Sequence, residues 1–237
     1  MSKYICILDT ETVNRKKDGG FSIYGNMVFD MGFVIRESSI DGEIVFKYNK
    51  IIKEVFDDKD LMKGYFFGPE KMLWYTKEIE AGRLEVAPIQ EIAKDIRDIM
   101  KRFDVEILSA YNVSFDMGAI TETSMKYNGG LMFDFEGSQV WDLYHMACHA
   151  LQGNDNYLIF ATENKFIKPS GNLRSDAEAV YSFVKNSPAF IEDHTALSDC
   201  IIENEILTWV MKQEELRGTM FNKTPSSQAW RLVQKRK

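Results

Sequence analysis

The chain has 237 residues, of which 45% are hydrophobic and 27% are charged, and its formal net charge is −7. This composition is typical of a globular protein, no apolar run approaches the ~20 residues of a membrane span, and the sequence shows no signal-peptide pattern. We therefore expect a cytoplasmic protein without membrane contact. If it handles nucleic acid, its acidic balance requires a local positive patch or bound cations.

The first part of the chain predicts three strands joined by short connections. The apolar run from Tyr4 to Leu8 indicates a buried strand that ends in an acidic turn at residues 9–12. Strands over residues 26–35 and 43–48 follow it, with the turn pair Asp41-Gly42 between them. Three strands in this order favour an antiparallel meander at one side of a sheet.

Helices and strands alternate in the middle of the chain. Apolar residues recur at helical spacing from Pro88 to Phe103, and a strand over residues 105–111 follows. A helix between two strands is the crossover that makes those strands parallel. The alternation continues with a helix after Asn112, a strand over residues 139–141 and a helix that Asp142 caps.

The last part of the chain is predicted to be helical after one long loop. Residues 152–172 are polar, contain glycine and proline, and indicate that loop. The pair Ser175 and Glu178 matches a capping box, and the last helix runs from about His194 to Glu215. Because the chain shows no repeat or linker, we expect one α/β domain with a mixed sheet over residues 1–220 and a basic C-terminal tail over residues 221–237.

Carboxylates follow two of the predicted strands. Asp9 and Glu11 lie two residues apart after the first strand and should point to the same side of it. Asp116 follows the strand over residues 105–111. Ligands of open α/β sheets bind beyond the carboxyl ends of parallel strands, and a helix packed across that edge would add Asp199. Taken alone, an Asp-x-Glu pair is more typical of an acidic turn, so the other positions decide its meaning.

Three motifs in this order resemble those of the DEDDh exonucleases, the DnaQ-like proofreading superfamily with a ribonuclease H-like fold. They are Asp9-x-Glu11, Asn112-x-x-Phe115-Asp116 and His194-x4-Asp199. The resemblance covers residues 4–210. It implies a mixed sheet, with a three-strand antiparallel meander plus parallel strands, flanked by helices.

A narrower resemblance concerns the branch of this family. Trp74-Tyr75, and Asp30 where many relatives carry glutamate, resemble the phage DNA exonucleases more than the bacterial polymerase subunit. A phage-encoded protein of this kind would be located in the host cytoplasm.

The resemblance implies two Mg²⁺ or Mn²⁺ ions, bound by Asp9, Glu11, Asp116 and Asp199. Hard divalent cations prefer oxygen ligands, and two of them ~3.5–4 Å apart stabilise both the attacking and the leaving oxygen of a phosphoryl displacement. By the same resemblance, Asp9 bridges the ions, Glu11 and Asp199 complete the first site, and Asp116 supports the second. His194 would take the proton from the attacking water.

The spacing from His194 to Asp199 also predicts where the imidazole lies. On one helix the two side chains would be ~140° apart, so His194 is expected on the loop or first turn before the helix that carries Asp199. The residues expected to bind substrate are Thr10, Thr12, Asn112, Phe115 and Trp74.

Several residues allow two interpretations. Trp74, Tyr75, Phe66 and Phe67 either stack on bases or pack in the core, and Phe115 is either core or a wedge beside the terminal base. Asn112 either stabilises the turn before Asp116 or touches substrate.

Other polar residues are assigned no role in the chemistry. His145, Cys148 and His149 resemble half of a zinc site, but without a second cluster they are expected to be ordinary core or surface residues. Glu203 is expected on the surface of the last helix. Cys6, Cys148 and Cys200 are expected to be buried free thiols.

Together these features predict an enzyme, a metal-dependent 3′–5′ exonuclease that hydrolyses single-stranded DNA from its 3′ end. Its polarity and its nucleoside 5′-monophosphate products are implied by the resemblance. An exoribonuclease that acts on RNA or short oligonucleotides is the alternative within the family. From other classes, a nucleic-acid-binding or adaptor module without activity and a phosphodiesterase for small signalling nucleotides remain. The sequence leaves protein partners and oligomeric state open.

Overall fold

The computed structural model describes residues 4–14, 25–64, 68–127, 130, 132, 138–213 and 229–234. The strands are β1 (Tyr4–Asn14), β2 (Asn26–Glu37), β3 (Ile44–Ile52), β4 (Glu85–Ala87), β5 (Val105–Ala110) and β6 (Gln139–Asp142). The helices are α1 (Lys53–Phe56), α2 (Lys59–Met62), α3 (Gly68–Glu80), α4 (Ile89–Phe103), α5 (Val113–Tyr127), α6 (Leu143–Leu151), α7 (Asp155–Glu163), α8 (Ala177–Val184) and α9 (Ala196–Met211). None of the helices in these ranges is both long and apolar enough to cross a lipid bilayer.

The strands form one mixed sheet in the order β4-β3-β2-β1-β5-β6. β1 pairs antiparallel with β2, and β2 pairs antiparallel with β3, which confirms the predicted meander. The pairs β1–β5, β5–β6 and β3–β4 are parallel, as the crossover helices between them require. The predicted mixed α/β architecture is therefore confirmed. β4 was not predicted, because three residues are too few to show a period.

Two apolar cores cover the two faces of the sheet. Successive residues of a strand point to opposite faces, and β1 shows this directly. Cys6 and Leu8 belong to the first core, under α4 and α5, whereas Ile5 and Ile7 belong to the second core, under α6, α8 and α9. β2 is buried along almost its whole length because helices cover both of its faces.

β1 is longer than predicted, and the acidic turn at residues 9–12 is wrong. The strand continues through Asp9 and Glu11 to Asn14 because β2 pairs with it over that whole length. The parallel pairing of β1 with β5 stops at Ile7, so β2 is the strand that still pairs with β1 at Asp9 and Glu11. The two acidic side chains therefore lie where the sheet opens on one side.

The connection between β2 and β3 is also longer than the predicted two-residue turn. β2 extends to Glu37 and β3 begins at Ile44, and the amide of Gly42 donates to the carbonyl of Ser39 at 3.0 Å. A Cβ at Gly42 would lie 2.2 Å from the carbonyl oxygen of Glu37, which explains the glycine at this position.

The predicted loop over residues 152–172 is wrong in its first half, which forms α7. The side chain of Asn154 caps this helix by accepting from the amide of Tyr157 at 3.0 Å. Tyr157 and Phe160 are buried in the second core, and their burial stabilises a helix of 9 residues that is too short to show a clear period.

Two helix caps were predicted, and one is confirmed. Asp142 caps α6 by accepting from the amide of His145 at 3.2 Å. The capping box at Ser175 is wrong, because Asp176 caps α8 by accepting from the amide of Ala179 at 3.2 Å. Ser175 is buried one residue earlier.

The C-terminal part of the chain is described only in pieces. α9 ends at Met211 rather than near residue 215, and residues 229–233 form a 3₁₀ turn packed against α6. Ala229 and Val233 are buried in the second core. Because residues 214–228 and 235–237 lie outside the described part, the division into a domain over 1–220 and a tail over 221–237 stays a proposal.

Candidate active site

The alternation along β1 carries the two acidic residues to one face. Ile5 and Ile7 face the second core, and Asp9 and Glu11 continue that series towards α9. Both residues lie before the bulge in the β1–β2 pairing, so the alternation is intact at these positions. Thr10, between them, points to the opposite face.

Thr10 connects β1 to α5. Its hydroxyl donates to Oδ1 of Asp116 at 2.8 Å, which holds the buried Asp116 carboxylate at the start of α5. Asn112 has a φ of +70°, a left-handed conformation that asparagine tolerates better than most residues, and the helix begins at the next residue. The exposed Asn112 therefore makes the turn that positions Asp116.

α9 begins in direct contact with the sheet. A Cβ at Gly32 of β2 would lie 2.5 Å from backbone atoms of Ala196 and Leu197, so only glycine allows this approach. Asp30, also on β2, accepts from the amide of Ala196 at 3.2 Å and from the hydroxyl of Tyr75 at 2.7 Å. These contacts fix the first turn of α9, which carries Asp199.

His194 lies two residues before α9, on the preceding loop. Its φ of +54° is left-handed, and its side chain is 35% exposed. Potential ligand atoms of Glu11, His194 and Asp199 all lie within 4.8 Å of one another. The structure thus brings the third sequence motif to the first, with the histidine on the loop and the aspartate on the helix.

Burial and neighbouring negative charge raise the pKa values of the acidic side chains. Burial, followed by the charges of Asp116, Glu203 and Asp199, raises the pKa of Asp9 well above its usual range. Burial and the charge of Asp199 do the same for Glu11.

The two helix-borne carboxylates are affected in the same direction. Burial raises the pKa of Asp116 to about 7, although the hydrogen bond from Thr10 acts against it. Burial and the charge of Glu192 raise the pKa of Asp199 to about 9. Four carboxyl groups crowded together without enough cations resist ionisation.

The imidazole of His194 is affected in the opposite direction. Burial lowers its pKa, and the nearby cation Lys71 lowers it further, while Glu178 and Asp193 act against this change. Its Nδ1 lies 3.7 Å from Oε2 of Glu192, whose own pKa burial raises to about 7. The imidazole is therefore neutral near pH 7, which is the form that accepts a proton.

These residues fit a divalent cation. Oδ1 of Asp199 and Oε2 of Glu203 are buried and have no hydrogen-bond partner within the described residues. Buried acceptors normally have partners, and a hard cation with several oxygen ligands would satisfy both. The oxygen-rich donor set of Asp9, Glu11, Asp116 and Asp199 suits Mg²⁺ or Mn²⁺.

The predicted surface position of Glu203 is wrong. Glu203 is 2% exposed and lies beside Asp9 and Asp116. A helix that is hydrophobic all round is buried, and α9 has apolar residues on every side, so this signal was present in the sequence.

Lys71 was not predicted at the site. It lies on α3, where its Nζ donates to the carbonyl of Asp193 and lies 4.6 Å from the ring centroid of Trp74. Its charge lowers the pKa values of Glu11 and Asp199. α3 therefore presents a cation and an indole beside the carboxylates.

The residues expected to bind substrate occupy different environments. Trp74 is 38% exposed, Phe115 and Thr12 are half-buried, and Phe115 belongs to neither of the two cores found in the described residues. Tyr75 is a core residue, because it is fully buried and donates to Asp30. Phe66 and Phe67 lie outside the described residues.

His145, Cys148 and His149 lie together on α6. The two imidazole rings are 4.8 Å apart, and Cys148 is buried among apolar residues with a thiol pKa raised to about 12 by burial. Across the ranges that the structure describes, the only group of three potential metal ligands is Glu11, His194 and Asp199. Cys6, Cys148 and Cys200 are buried free thiols, as predicted.

No protein-family model and no curated protein matches the sequence. Solved structures match its fold. The nuclease domain of 3′hExo, a DEDDh family member bound to rAMP, matches with a TM-score of 0.56 and 12% identity, over 95% of this chain and 97% of that domain. E. coli Exonuclease I in complex with a dT13 oligonucleotide matches with a TM-score of 0.57 and 15% identity, over 91% of this chain and 41% of that chain.

A third match is cell-death related nuclease 4, with a TM-score of 0.54 and 14% identity, over 90% of this chain and 65% of that chain. This chain thus spans 41% of the length of Exonuclease I and 65% of a 3′-exonuclease bound to a histone mRNA stem-loop. At these identities the likeness concerns the fold. The chain has the ribonuclease H-like fold of the DEDDh exonucleases, as the sequence motifs predicted.

Proposed function

We propose that the protein is a DEDDh exonuclease, a metal-dependent enzyme that hydrolyses single-stranded DNA from its 3′ end and releases nucleoside 5′-monophosphates. The observation that carries this proposal is the meeting of Glu11, His194 and Asp199 within 4.8 Å, beside Asp9 and Asp116, at the open edge of the sheet. A DEDDh nuclease with the same fold supports it.

The proposed role of the carboxylates is to bind two divalent cations, Mg²⁺ or Mn²⁺. When bound, the ions neutralise developing charge on the phosphoryl group and on the leaving oxygen. Asp9, Glu11, Asp116 and Asp199 must lose their protons to act as ligands, and their raised pKa values make this loss part of metal binding. Thr10 holds Asp116, and Asp30 holds the start of α9, so that the donor set is arranged before the ions bind.

The proposed role of His194 is to take the proton from the attacking water. The lowered pKa keeps its imidazole neutral near pH 7, and its partial exposure on the loop gives a water access to it. Glu192, beside Nδ1, would stabilise the imidazolium that forms.

The proposed substrate-binding surface lies on α3 and at the start of α5. The ammonium of Lys71 suits a phosphate, and the exposed ring of Trp74 suits stacking with a base. Thr12, Asn112 and Phe115 remain proposed contacts, as does Thr10 through its backbone. In this proposal Lys71 and the bound cations supply the local positive charge that the acidic composition requires.

DNA is the proposed substrate, and RNA is the alternative. The structure of Exonuclease I contains an oligodeoxynucleotide, whereas that of 3′hExo contains rAMP. Proteins with this fold have therefore been solved with DNA and with a ribonucleotide. The narrower proposal of a phage DNA exonuclease, and of a cytoplasmic location, rests on the sequence alone.

The test is degradation of single-stranded DNA and RNA of one sequence, each labelled at the 5′ end. With Mg²⁺ we expect a ladder that shortens from the 3′ end of DNA, and with EDTA no degradation. Asp9→Asn should abolish turnover while the fold survives, because it removes a metal ligand. Degradation of RNA alone would favour the exoribonuclease. If neither substrate is degraded, the proposed nuclease activity is wrong and a nucleic-acid-binding module remains as the interpretation.

A further inference from the structure

Glu203 lies outside the three sequence motifs but inside the acidic site. It is four residues after Asp199 on α9, so the two side chains lie on the same face of the helix, one turn apart. Its apolar neighbours on α9 include Ile202, Ile206 and Leu207, all buried in the second core. Glu203 itself is 2% exposed, so its carboxyl group is shielded from water where α9 packs against β1 and β2.

One oxygen of this carboxyl group has no partner. Oε2 of Glu203 is buried and makes no hydrogen bond with any residue that the structure describes. On the same helix face, Oδ1 of Asp199 is in the same condition. Two neighbouring buried acceptors without donors are uncommon in folded proteins, and they indicate a binding partner that the chain itself does not provide.

The groups that surround Glu203 show which kind of partner is needed. Asp116, Asp199 and Glu192 act on it with negative charge, and the backbone amide of Tyr111 donates a hydrogen bond to it. The charge of Glu203 in turn raises the pKa of Asp9; after burial, its effect is smaller than that of Asp116 and larger than that of Asp199. Glu203 is 2% exposed and therefore lies buried among the carboxylates of the site.

We propose that Glu203 is a fifth metal-binding carboxylate, which supplies an oxygen to a hard divalent cation of the acidic site, beside the unpartnered Oδ1 of Asp199. The inference rests on the proposed function and extends its ligand set beyond the three motifs. The competing account is that Glu203 is a neutral acid that only fills space in the core.

Two observations favour the cation over simple packing. A glutamine or an apolar residue would fill the same volume without an acidic group, so packing alone gives no reason for a carboxyl here. A cation would also provide the missing partner for Oε2, and negative neighbours on several sides are what such an ion requires.

The experiment is a titration of the full-length protein with Mn²⁺. Calorimetry measures the heat of binding, and electron paramagnetic resonance measures the concentration of free Mn²⁺. Glu203→Gln keeps the size of the side chain and removes its charge. We expect it to weaken the binding of one Mn²⁺ by at least about tenfold, with unfolding of the metal-free protein unchanged or shifted to higher temperature. Glu203→Asp, which keeps the charge on a shorter side chain, should also weaken that ion.

Glu205→Gln is the matched control, because Glu205 lies on the same helix but pairs with Lys185 at 2.9 Å away from the site. It should bind Mn²⁺ like the wild type. If Glu203→Gln and Glu203→Asp bind both ions as tightly as Glu205→Gln while Asp9→Asn does not, the inference is wrong and the proposed function stands. If the wild type binds no divalent cation, both are wrong.

Discussion

The contact between β2 and α9 buries charge at two places, in opposite ways. Towards the C-terminal end of β2, Arg36 is 0% exposed, and each of its side-chain nitrogens donates to an acceptor. Nε donates to the carbonyl of Glu37 at 3.0 Å, Nη1 to Oδ1 of Asn204 at 3.1 Å, and Nη2 to the carbonyl of Ser39 at 2.8 Å. This cation finds its partners within the chain.

The start of α9 shows the reverse arrangement. Burial raises the pKa values of Asp9, Glu11, Asp116 and Asp199, and neighbouring carboxylates raise those of Asp9 and Glu11 further. Buried oxygens of Asp199 and Glu203 have no partner in the described residues. A buried charge with all its hydrogen bonds made stabilises the contact between two elements. Buried acceptors without donors are instead unfavourable for the isolated chain and become favourable only with a ligand. One helix therefore has a structural end and a binding end.

At the binding end, loss of a metal ligand should abolish turnover. Among the other single substitutions there, we expect His194→Ala to slow turnover most. Removal of the general base should slow turnover by about 10²–10⁴-fold, while Mg²⁺ titration stays near normal because the carboxylates hold the ions. Steady-state kinetics at saturating Mg²⁺ measures this.

The matched control replaces both His145 and His149 by alanine on α6 and should stay within a few-fold of the wild-type rate. The alternative is that His194 only orients the start of α9. In that case His194→Ala will be less stable than the wild type or equally stable, and its rate will remain within about tenfold of the wild-type rate.

Arg36→Met tests the structural end. It removes the donors and leaves buried acceptors such as Oδ1 of Asn204 without a partner, which should lower the free energy of unfolding by about 1–3 kcal/mol for each such group. Urea denaturation measures this loss.

Arg97→Met, at an exposed position on α4, is the control and should change stability little. Mg²⁺ should stabilise Arg36→Met and the wild type by equal amounts, because the binding end is intact. Equal stability of Arg36→Met and Arg97→Met would remove the contrast between the two ends.

Lys71→Met tests the proposed substrate-binding role of α3. Loss of one partly exposed cation near the carboxylates should raise the KM for single-stranded DNA by about tenfold with little change in kcat, and it should reduce the salt dependence of binding. Lys77→Met, on the same helix with an exposed side chain, is the control. An unchanged KM in Lys71→Met would mean that its ammonium serves only the carbonyl of Asp193 and the ring of Trp74.

Local patterns predicted the parts of the molecule that local forces form. The apolar period placed α4, the alternation in β1 set Asp9 and Glu11 on one face, and the spacing from His194 to Asp199 indicated a loop before the helix. Each of these features depends on residues close together in the chain, so a single sequence reveals them.

Contacts between distant parts of the chain were not predictable in the same way. Lys71 reaches the site only because α3 packs beside the loop at Asp193, which is 122 residues further along the chain. The length of β1 likewise depends on its pairing with β2. A sequence pattern does not specify such partners.

We infer that the carboxylate edge is incomplete without a cation, and the pH dependence of stability distinguishes this from an edge that is complete in the metal-free protein. The pKa of Asp116 is raised to about 7 and that of Asp199 to about 9, against ~3.9 for an unfolded aspartate. Between these values the folded metal-free protein binds more protons than the unfolded chain, so its stability is lost as pH rises. The lowered pKa of His194 acts in the opposite sense, but it is a single group.

Urea denaturation should therefore show, in EDTA, a free energy of unfolding that falls from pH 5 to pH 8. With saturating Mg²⁺ the fall should disappear or reverse, because the ions compete with protons and bind better as the carboxylates ionise. The same pH dependence with Mg²⁺ and with EDTA would contradict a metal centre at this edge.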